Sequence, residues 1–286
     1  MDTNKKQQLK IAATKARMGI IEGTYNAKSG HPGGSLSITD VLTYLYFEKM
    51  NIDPNEPDKK DRDRFVLSKG HAAPALYSVL ALRGFFSTDE IKKLRKPNEM
   101  LQGHPSISIP GVDMSTGSLG QGISTACGMA LAAKLDGAKY NVYAALGDGE
   151  IEEGQVWEAA MFAAHKKLDN LTIVVDFNNL QIDGTLDEVN SPCPIDEKFA
   201  AFGWDVTVID DGNDFDQIEK AFDHTSTVTG KPSVIIAKTA KGKGVSFMEN
   251  QVGWHGKAPD AAQYADAAQY ADAMNELNAK LAELEG

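Results

Sequence analysis

Nowhere in its 286 residues does the chain gather about eighteen consecutive apolar side chains, the length a membrane-spanning helix needs, so no membrane span is expected. The first twenty residues lack the apolar core and small-residue cleavage site of a secretory leader, and they read instead as an amphipathic helix. Cysteine is scarce. Cys127 and Cys193 are too few for a disulfide framework, and reduced thiols in a cytoplasmic protein are the simplest reading. Positive charge is also short, with 29 Lys and Arg against 40 Asp and Glu and a formal charge of −11. With no basic stripe to offset that balance, a nucleic-acid-binding surface is not expected. What remains, 42% apolar and 24% charged residues, is the composition of a globular protein long enough for one large domain or two small ones.

Strand-like apolar runs recur at residues 64–68, 141–146, 171–177, 205–209 and 233–238, and helical patterns fall between them, as at 72–83, 121–135, 155–168 and 215–223. Alternating β and α segments with nearly continuous apolar strands predict an α/β fold, a doubly wound parallel sheet with helices on both faces. Residues 51–63 read as a charged, proline-containing loop, and 97–118 as a longer loop rich in glycine and proline. The expected division is a principal domain over residues 1–259 and a C-terminal helical tail over 260–286. In that tail the hexapeptide AAQYAD at 261–266 repeats unchanged at 267–272. An inserted six-residue copy would rotate whatever follows it on a helix by roughly 240°; no chemistry is assigned to the tail.

The most informative local pattern is Gly147-Asp148-Gly149-Glu150 after one predicted strand, with Asn178-Asn179 after the next. A strand, a crossover helix and a parallel strand take about thirty residues, and the crossover is nearly always right-handed. Asp148 and Asn178 therefore reach the same sheet edge, the one at which open α/β sheets bind ligands. A carboxylate and a carboxamide are hard oxygen donors suited to Mg²⁺ or Ca²⁺, and Mg²⁺ commonly takes its remaining oxygens from water and phosphates. Gly149 would let the backbone approach a diphosphate with no Cβ in the way. An ordinary turn uses the same residue types; the spaced asparagine pair is what favours a site.

Four of the six histidines sit beside glycine in loop-like contexts: His31, His71, His104 and His255. Such loops on a rigid scaffold commonly carry function, and imidazole suits proton transfer near neutral pH, although a hydrogen-bonded structural role is the common one for a lone histidine. His165 and His224 fall on predicted helices and read as surface. Gly117-Ser118-Leu119-Gly120-Gln121-Gly122 precedes a helix and would present backbone N–H groups to an anion. Lys241-Gly242-Lys243-Gly244 places positive charge after the last strand, either toward a ligand or in a solvated loop. Glu150, Glu152, Glu153 and Glu158 crowd a helix start, where the helix dipole alone favours acidic residues, although four of them close to a candidate metal site also point toward function.

Read together, SGHPGG (29–34), RFVLSKGHAAPALY (64–77), GHP (103–105), STGSLGQGIS (115–124), GDGEIEEGQVWEA (147–159), DFNNLQIDG (176–184), KTAKGKGVSF (238–247) and WHGKAP (254–259) resemble the N-terminal part of transketolase, from about residue 10 to 260. The resemblance implies thiamine diphosphate with Mg²⁺ as cofactors, with Ca²⁺ or Mn²⁺ as substitutes. It implies Asp148, the Asn178 side chain and the Leu180 carbonyl as metal ligands. His71, Gly117, Leu119, Gly149, Asn178 and His255, together with Lys69 and Lys241, match cofactor-contacting positions. His31, His104 and His255 match histidines that meet the sugar and help move protons. Glu153 and Glu158 match glutamates linking two active sites across a subunit interface.

Transketolases usually continue into a pyrimidine-binding domain and a third domain, which supply the glutamate that activates the cofactor and most of the grip on sugar phosphate. The resemblance therefore implies the N-terminal subunit of a split transketolase. It would transfer a two-carbon ketol unit from a ketose phosphate to an aldose phosphate, partnered by a C-terminal subunit in an α₂β₂ heterotetramer. A split enzyme for another sugar, apulose phosphate or a sulfosugar, shares this half. The other readings are a non-catalytic, cofactor-binding regulatory subunit, or a deoxyxylulose-phosphate-synthase-like protein; SGHPGG and WHGKAP favour transketolase over the last.

Overall fold

The computed structural model describes residues 1–256 and 267–286. The strands are β1 (Arg64–Leu67), β2 (Val142–Gly147), β3 (Leu171–Phe177), β4 (Asp205–Ile209) and β5 (Ser233–Lys238), all parallel, in the order β1-β2-β3-β5-β4. The helices of the described residues include α1 (Thr3–Ala27), α2 (Pro32–Tyr44), α3 (Ala73–Arg83), α4 (Gln121–Asp136), α5 (Gly154–His165), α6 (Leu186–Val189), α7 (Ile195–Ala201), α8 (Phe215–Thr225) and α9 (Ala267–Glu285).

Strand side chains alternate between two apolar layers. Phe65, Leu67, Tyr143, Ala145, Val174 and Ile235 pack under α1, α2, α3 and α8. Val66, Val142, Ala144, Leu146, Ile173, Val175 and Val234 pack under α4, α5 and α7. Burial on both faces is why these strands read as unbroken apolar runs. Connections that step across the sheet in the β1-to-β4 direction place α4, α5 and α7 on one face, and the return from β4 to β5 places α8 on the other. Right-handed crossovers require that division.

Helix α2 was not expected from periodicity, because all thirteen of its residues are buried and no polar face marks it. Its hydroxyls are satisfied along the helix: Ser35 Oγ donates to the His31 carbonyl at 2.7 Å, and Thr39 and Thr43 donate to the carbonyls four residues back at 2.8 Å each. Asp40 of α2 pairs with Arg17 of α1, whose Nε donates to the Lys243 carbonyl at 2.9 Å. The loop after β5 is thereby tied to the first two helices.

The second AAQYAD copy opens helix α9. The first copy, at 261–266, and the expected 259/260 boundary lie outside the described residues. Ala273 and Leu277 of α9 are buried in the main core, and Tyr270 stacks on Tyr25 of α1 with ring centroids 4.0 Å apart. His165 and His224 lie on α5 and α8, away from the sheet edge, as their sequence context implied. Leu277→Ala, which empties a buried position on α9, should destabilise the chain by about 2–4 kcal/mol in chemical denaturation. Leu135→Ala, at a position 78% exposed on α4, should cost less than about 0.5 kcal/mol. Equal effects would mean that α9 does not stay docked.

Candidate active site

Every strand leaves its carboxyl end on the same edge, and the turns after β1, β2, β3 and β5 carry the chemistry. The turn Gly70–Ala72 follows β1 and presents His71; Asp148 follows β2; Asn178 to Leu180 follow β3; Lys241 follows β5. The register pairs Gly147 of β2 with Asp176 of β3, so Asp148 and Asn178 emerge side by side. Asp148 Oδ2 accepts from the Asn179 N–H at 2.5 Å and Oδ1 from the Gly149 N–H at 2.9 Å. Asn178 Oδ1 accepts from the Leu180 N–H at 3.2 Å.

A cavity of about 460 Å³ opens at this edge. It brings together His31, Lys69, His71, His104, Gly117, Leu119, Asp148, Gly149, Asn178, Leu180, Lys241 and His255, the residues the sequence nominated from separate segments. Glu153 and Glu158 do not join them; they lie at the start of α5, outside the cavity lining.

The glycine-rich turn is held by Glu150, which is almost fully buried. Its Oε1 accepts from Ser68 Oγ at 2.5 Å and the Gly120 N–H at 2.8 Å, and its Oε2 from the Gly147 N–H at 3.0 Å. Gly120 has φ +79°, and an added Cβ would stand 2.8 Å from Glu153 Cβ, so the left-handed turn and the close packing both require glycine there. The fully buried Asp176 carboxylate is paired with Lys69, accepts from Ser37 Oγ at 2.5 Å and from Asn178 Nδ2 at 3.4 Å, and is bonded by Thr239. Asp176 and Glu150 were not nominated as site residues from sequence. For Asp176 a signal was present: a carboxylate near the end of an otherwise apolar buried strand. Gln181, Ile182 and Asp183 also line the cavity and carried no such signal.

Burial governs the electrostatics. It pushes the Asp148 carboxyl up to about 6, with the Asp176 charge adding to the effect. Burial lowers Lys241 to about 8; its Nζ donates to the Leu180 carbonyl at 2.7 Å and lies 2.6 Å from His255 Nδ1. Burial, with neighbouring cations, depresses His31 to about 4, His255 to about 3, and His71 well below its ordinary value. The three rings form a triangle with centroids 5.2, 5.5 and 6.0 Å apart. His31 Nδ1 is buried without a protein partner, an orphaned atom of the kind that ligands satisfy.

The donor set fits a hard divalent cation. Asp148 is 3% exposed, its oxygens meet backbone N–H groups, and Asn178 and Leu180 line the same cavity, the Leu180 carbonyl accepting from Lys241 Nζ at 2.7 Å. One carboxylate suits Mg²⁺ completed by phosphate oxygens. Among the described residues no three His, Cys, Asp or Glu side chains are placed to build an all-protein cage.

The sequence matches the family described as "Transketolase, thiamine diphosphate binding domain" over residues 8–275. The chain belongs to the transketolase family. It is 44% identical over 258 residues to one subunit of the apulose-4-phosphate transketolase of Phocaeicola vulgatus, covering 90% of this chain and 92% of that one. It is 49% identical over 227 residues to the 6-deoxy-6-sulfo-D-fructose transketolase subunit SqwG of a Clostridium species, covering 79% and 82%. Human transketolase is 42% identical over 264 residues, but only 41% of its length is covered. The transketolase structure from Campylobacter jejuni superposes with a TM-score of 0.84 at 31% identity, over all of this chain and 48% of that one. The chain thus spans about half of solved transketolases and nearly all of the separate Phocaeicola subunit. The expected fold class and the transketolase resemblance both hold.

His31 and His255 should remain neutral at pH 5.5 in this transketolase-family chain, read from the ring resonances of labelled histidine. Their protonation is depressed only in the folded state. The stability they contribute is therefore complete above pH 6.5 and is lost as the pH falls from 6.5 toward about 3. A midpoint near 6.5 for either ring would contradict the buried, cation-flanked environment.

Proposed function

We propose that this chain is the diphosphate-binding subunit of a two-chain transketolase, moving a two-carbon ketol unit from a ketose phosphate to an aldose phosphate. The observation that carries the reading is the convergence of Asp148, Asn178 and the Leu180 carbonyl with the 117–120 turn and four histidines in one cavity. It occurs in a chain that matches separate transketolase subunits along most of their length. Asp148, Asn178 and Leu180 would hold the Mg²⁺, with Ca²⁺ or Mn²⁺ as substitutes. The backbone at Gly117, Leu119 and Gly149 would meet the diphosphate, with His71, His255 and Lys241 beside it. When bound, thiamine diphosphate supplies the nucleophile and electron sink for the ketol unit.

The protein's part is position and proton control. Lys69 is occupied by Asp176 and the Gly34 carbonyl, which it meets at 2.8 Å, so its contribution is to hold the turn and the charge balance. His31, His104 and His255 are assigned to the sugar and its protons: His31 and His104, neutral at neutral pH, accept from sugar hydroxyls, whereas His255, whose Nδ1 faces the Lys241 ammonium, offers its Nε2–H as a donor. Glu153 and Glu158, at the start of α5, are assigned to contact with a second copy, with a C-terminal transketolase subunit completing an α₂β₂ assembly.

The sugars named for the two separate-subunit relatives favour apulose phosphate or a sulfosugar alongside pentose phosphates as substrates. A regulatory, non-catalytic role is the weaker reading, because it gives no reason for proton-accepting histidines around the metal ligands. No helix of the described residues is long and apolar enough to cross a membrane, and a cytoplasmic location is part of the proposal.

Asp148→Ala and Asn178→Ala should each abolish Mg²⁺-dependent thiamine-diphosphate binding in calorimetry while far-ultraviolet circular dichroism stays unchanged. Binding as tight as wild type, with the same metal requirement, would remove both residues from the site. The purified chain with Mg²⁺ and thiamine diphosphate should show little ketol transfer, and activity should appear when a C-terminal transketolase subunit is supplied. Full activity from the chain alone would refute the two-chain reading.

A further inference from the structure

The loop after α3 contains a cation with an unusual set of contacts. Arg95 takes the left-handed conformation, φ +60°, and its backbone N–H closes the loop onto the Leu101 carbonyl at 2.7 Å. Its Nη1 donates to Ser29 Oγ at 2.6 Å and its Nη2 reaches the Gly103 carbonyl at 3.5 Å, while Nε is buried without a partner. No carboxylate is paired with this guanidinium among the described residues; burial lowers its pKa, and the titratable groups it interacts with are the Tyr77 phenol and the rings of His31 and His104. A half-buried, unpaired guanidinium is costly to keep unless it serves something.

Its two anchors identify that service. Ser29 stands immediately before Gly30-His31, and Gly103 immediately before His104. The two histidine turns come from distant parts of the chain, one between α1 and α2 and the other between α3 and α4, and Arg95 touches both. A Cβ added at Gly103 would lie 3.0 Å from Arg95 Cζ and Nε, so glycine lets the guanidinium lie against the backbone. Tyr77 Oη donates to the His104 carbonyl at 2.8 Å and fixes that turn to α3, but it does not bond the turn of His31.

We propose that Arg95 is a positioning residue, its guanidinium tying the turn of His31 to the turn of His104 so that both imidazoles face one cavity. This rests on the reading of those two histidines as the sugar-side proton acceptors. The clamp has an electrostatic consequence as well. After burial, Arg95 is the largest cause holding both His31 and His104 below the ordinary imidazole value; His104 and Lys241 add to it at His31, and the rings of His71 and His255 also face His31.

The test uses the full chain and Arg95→Met and Arg95→Lys, with two separate readouts. In the single chain, histidine ring resonances should show the midpoints of both His31 and His104 rising together in Arg95→Met, while Mg²⁺-dependent thiamine-diphosphate affinity is unchanged. Arg95→Lys, which keeps the charge but cannot span both anchors, should restore the midpoints and leave the rings heterogeneous. In the enzyme assembled with its C-terminal subunit, both variants should lower kcat/KM for the sugar by about tenfold to a hundredfold, the cost of misplacing a reacting group. The acid limb of the profile should move to higher pH only in Arg95→Met. If that variant does not fold, Ser29→Ala removes one anchor and should disorder His31 more than His104. Unchanged ring signals for both histidines in Arg95→Met, or in Ser29→Ala, would overturn the clamp. Absence of ketol transfer from the wild-type assembly would instead overturn the functional reading and leave the ring measurements to judge the clamp alone.

Discussion

The carboxyl edge of the sheet depends on one buried ion pair, Lys69 with Asp176. Both side chains are essentially inaccessible to water, at 1% and 0% exposure. A pair so buried is kept only when its remaining donors and acceptors are filled, and here they are. Ser37 from α2, Thr239 from the end of β5 and the Asn178 amide surround the carboxylate, and the Gly34 carbonyl takes the lysine. Segments that lie far apart in sequence are locked by one carboxylate. Removing either partner would leave an uncompensated charge and cost about 3–5 kcal/mol. The same bonds orient the Asn178 amide, with its nitrogen toward Asp176 and its oxygen toward the Leu180 N–H.

Glu150 performs a parallel task one strand away, holding the glycine turn at Gly120 against the ends of β1 and β2. Between these two buried carboxylates lies an acid, Asp148, whose burial without a cation is unfavourable, and a lysine, Lys241, that lies on the carbonyl of Leu180. The histidines that share the cavity are held neutral by the same low-polarity surroundings. The upward shift of the acid and the downward shift of the histidines thus come from a single cause, exclusion of water at the sheet edge.

Solved transketolases contain this fold as about half of their length, whereas most of each separate-subunit relative is accounted for by it. The same diphosphate half therefore occurs both within longer chains and as a chain of its own.

Sequence alone determined the sheet and the pairing of Asp148 with Asn178, because both rest on local periodicity and short spacing, whereas the Leu180 carbonyl came only from the family resemblance. Unbroken apolar strands of the right length, alternating with helices, leave little choice but a covered parallel sheet, and parallel connection then puts Asp148 and Asn178 at one edge. The glycine-flanked histidines were legible for a similar reason, since turns leave residue-type signatures. Helix α2 was not legible, because a helix buried on every side shows no stripe. Nor were the roles of Asp176, Glu150 and Arg95, each of which acts by joining segments far apart in the chain. A carboxylate that holds Lys69, Ser37 and Thr239 together has no pattern of its own in the sequence. Only the tertiary structure decided which polar side chains are buried, and burial is what turns an ordinary aspartate, lysine or histidine into one with altered proton affinity.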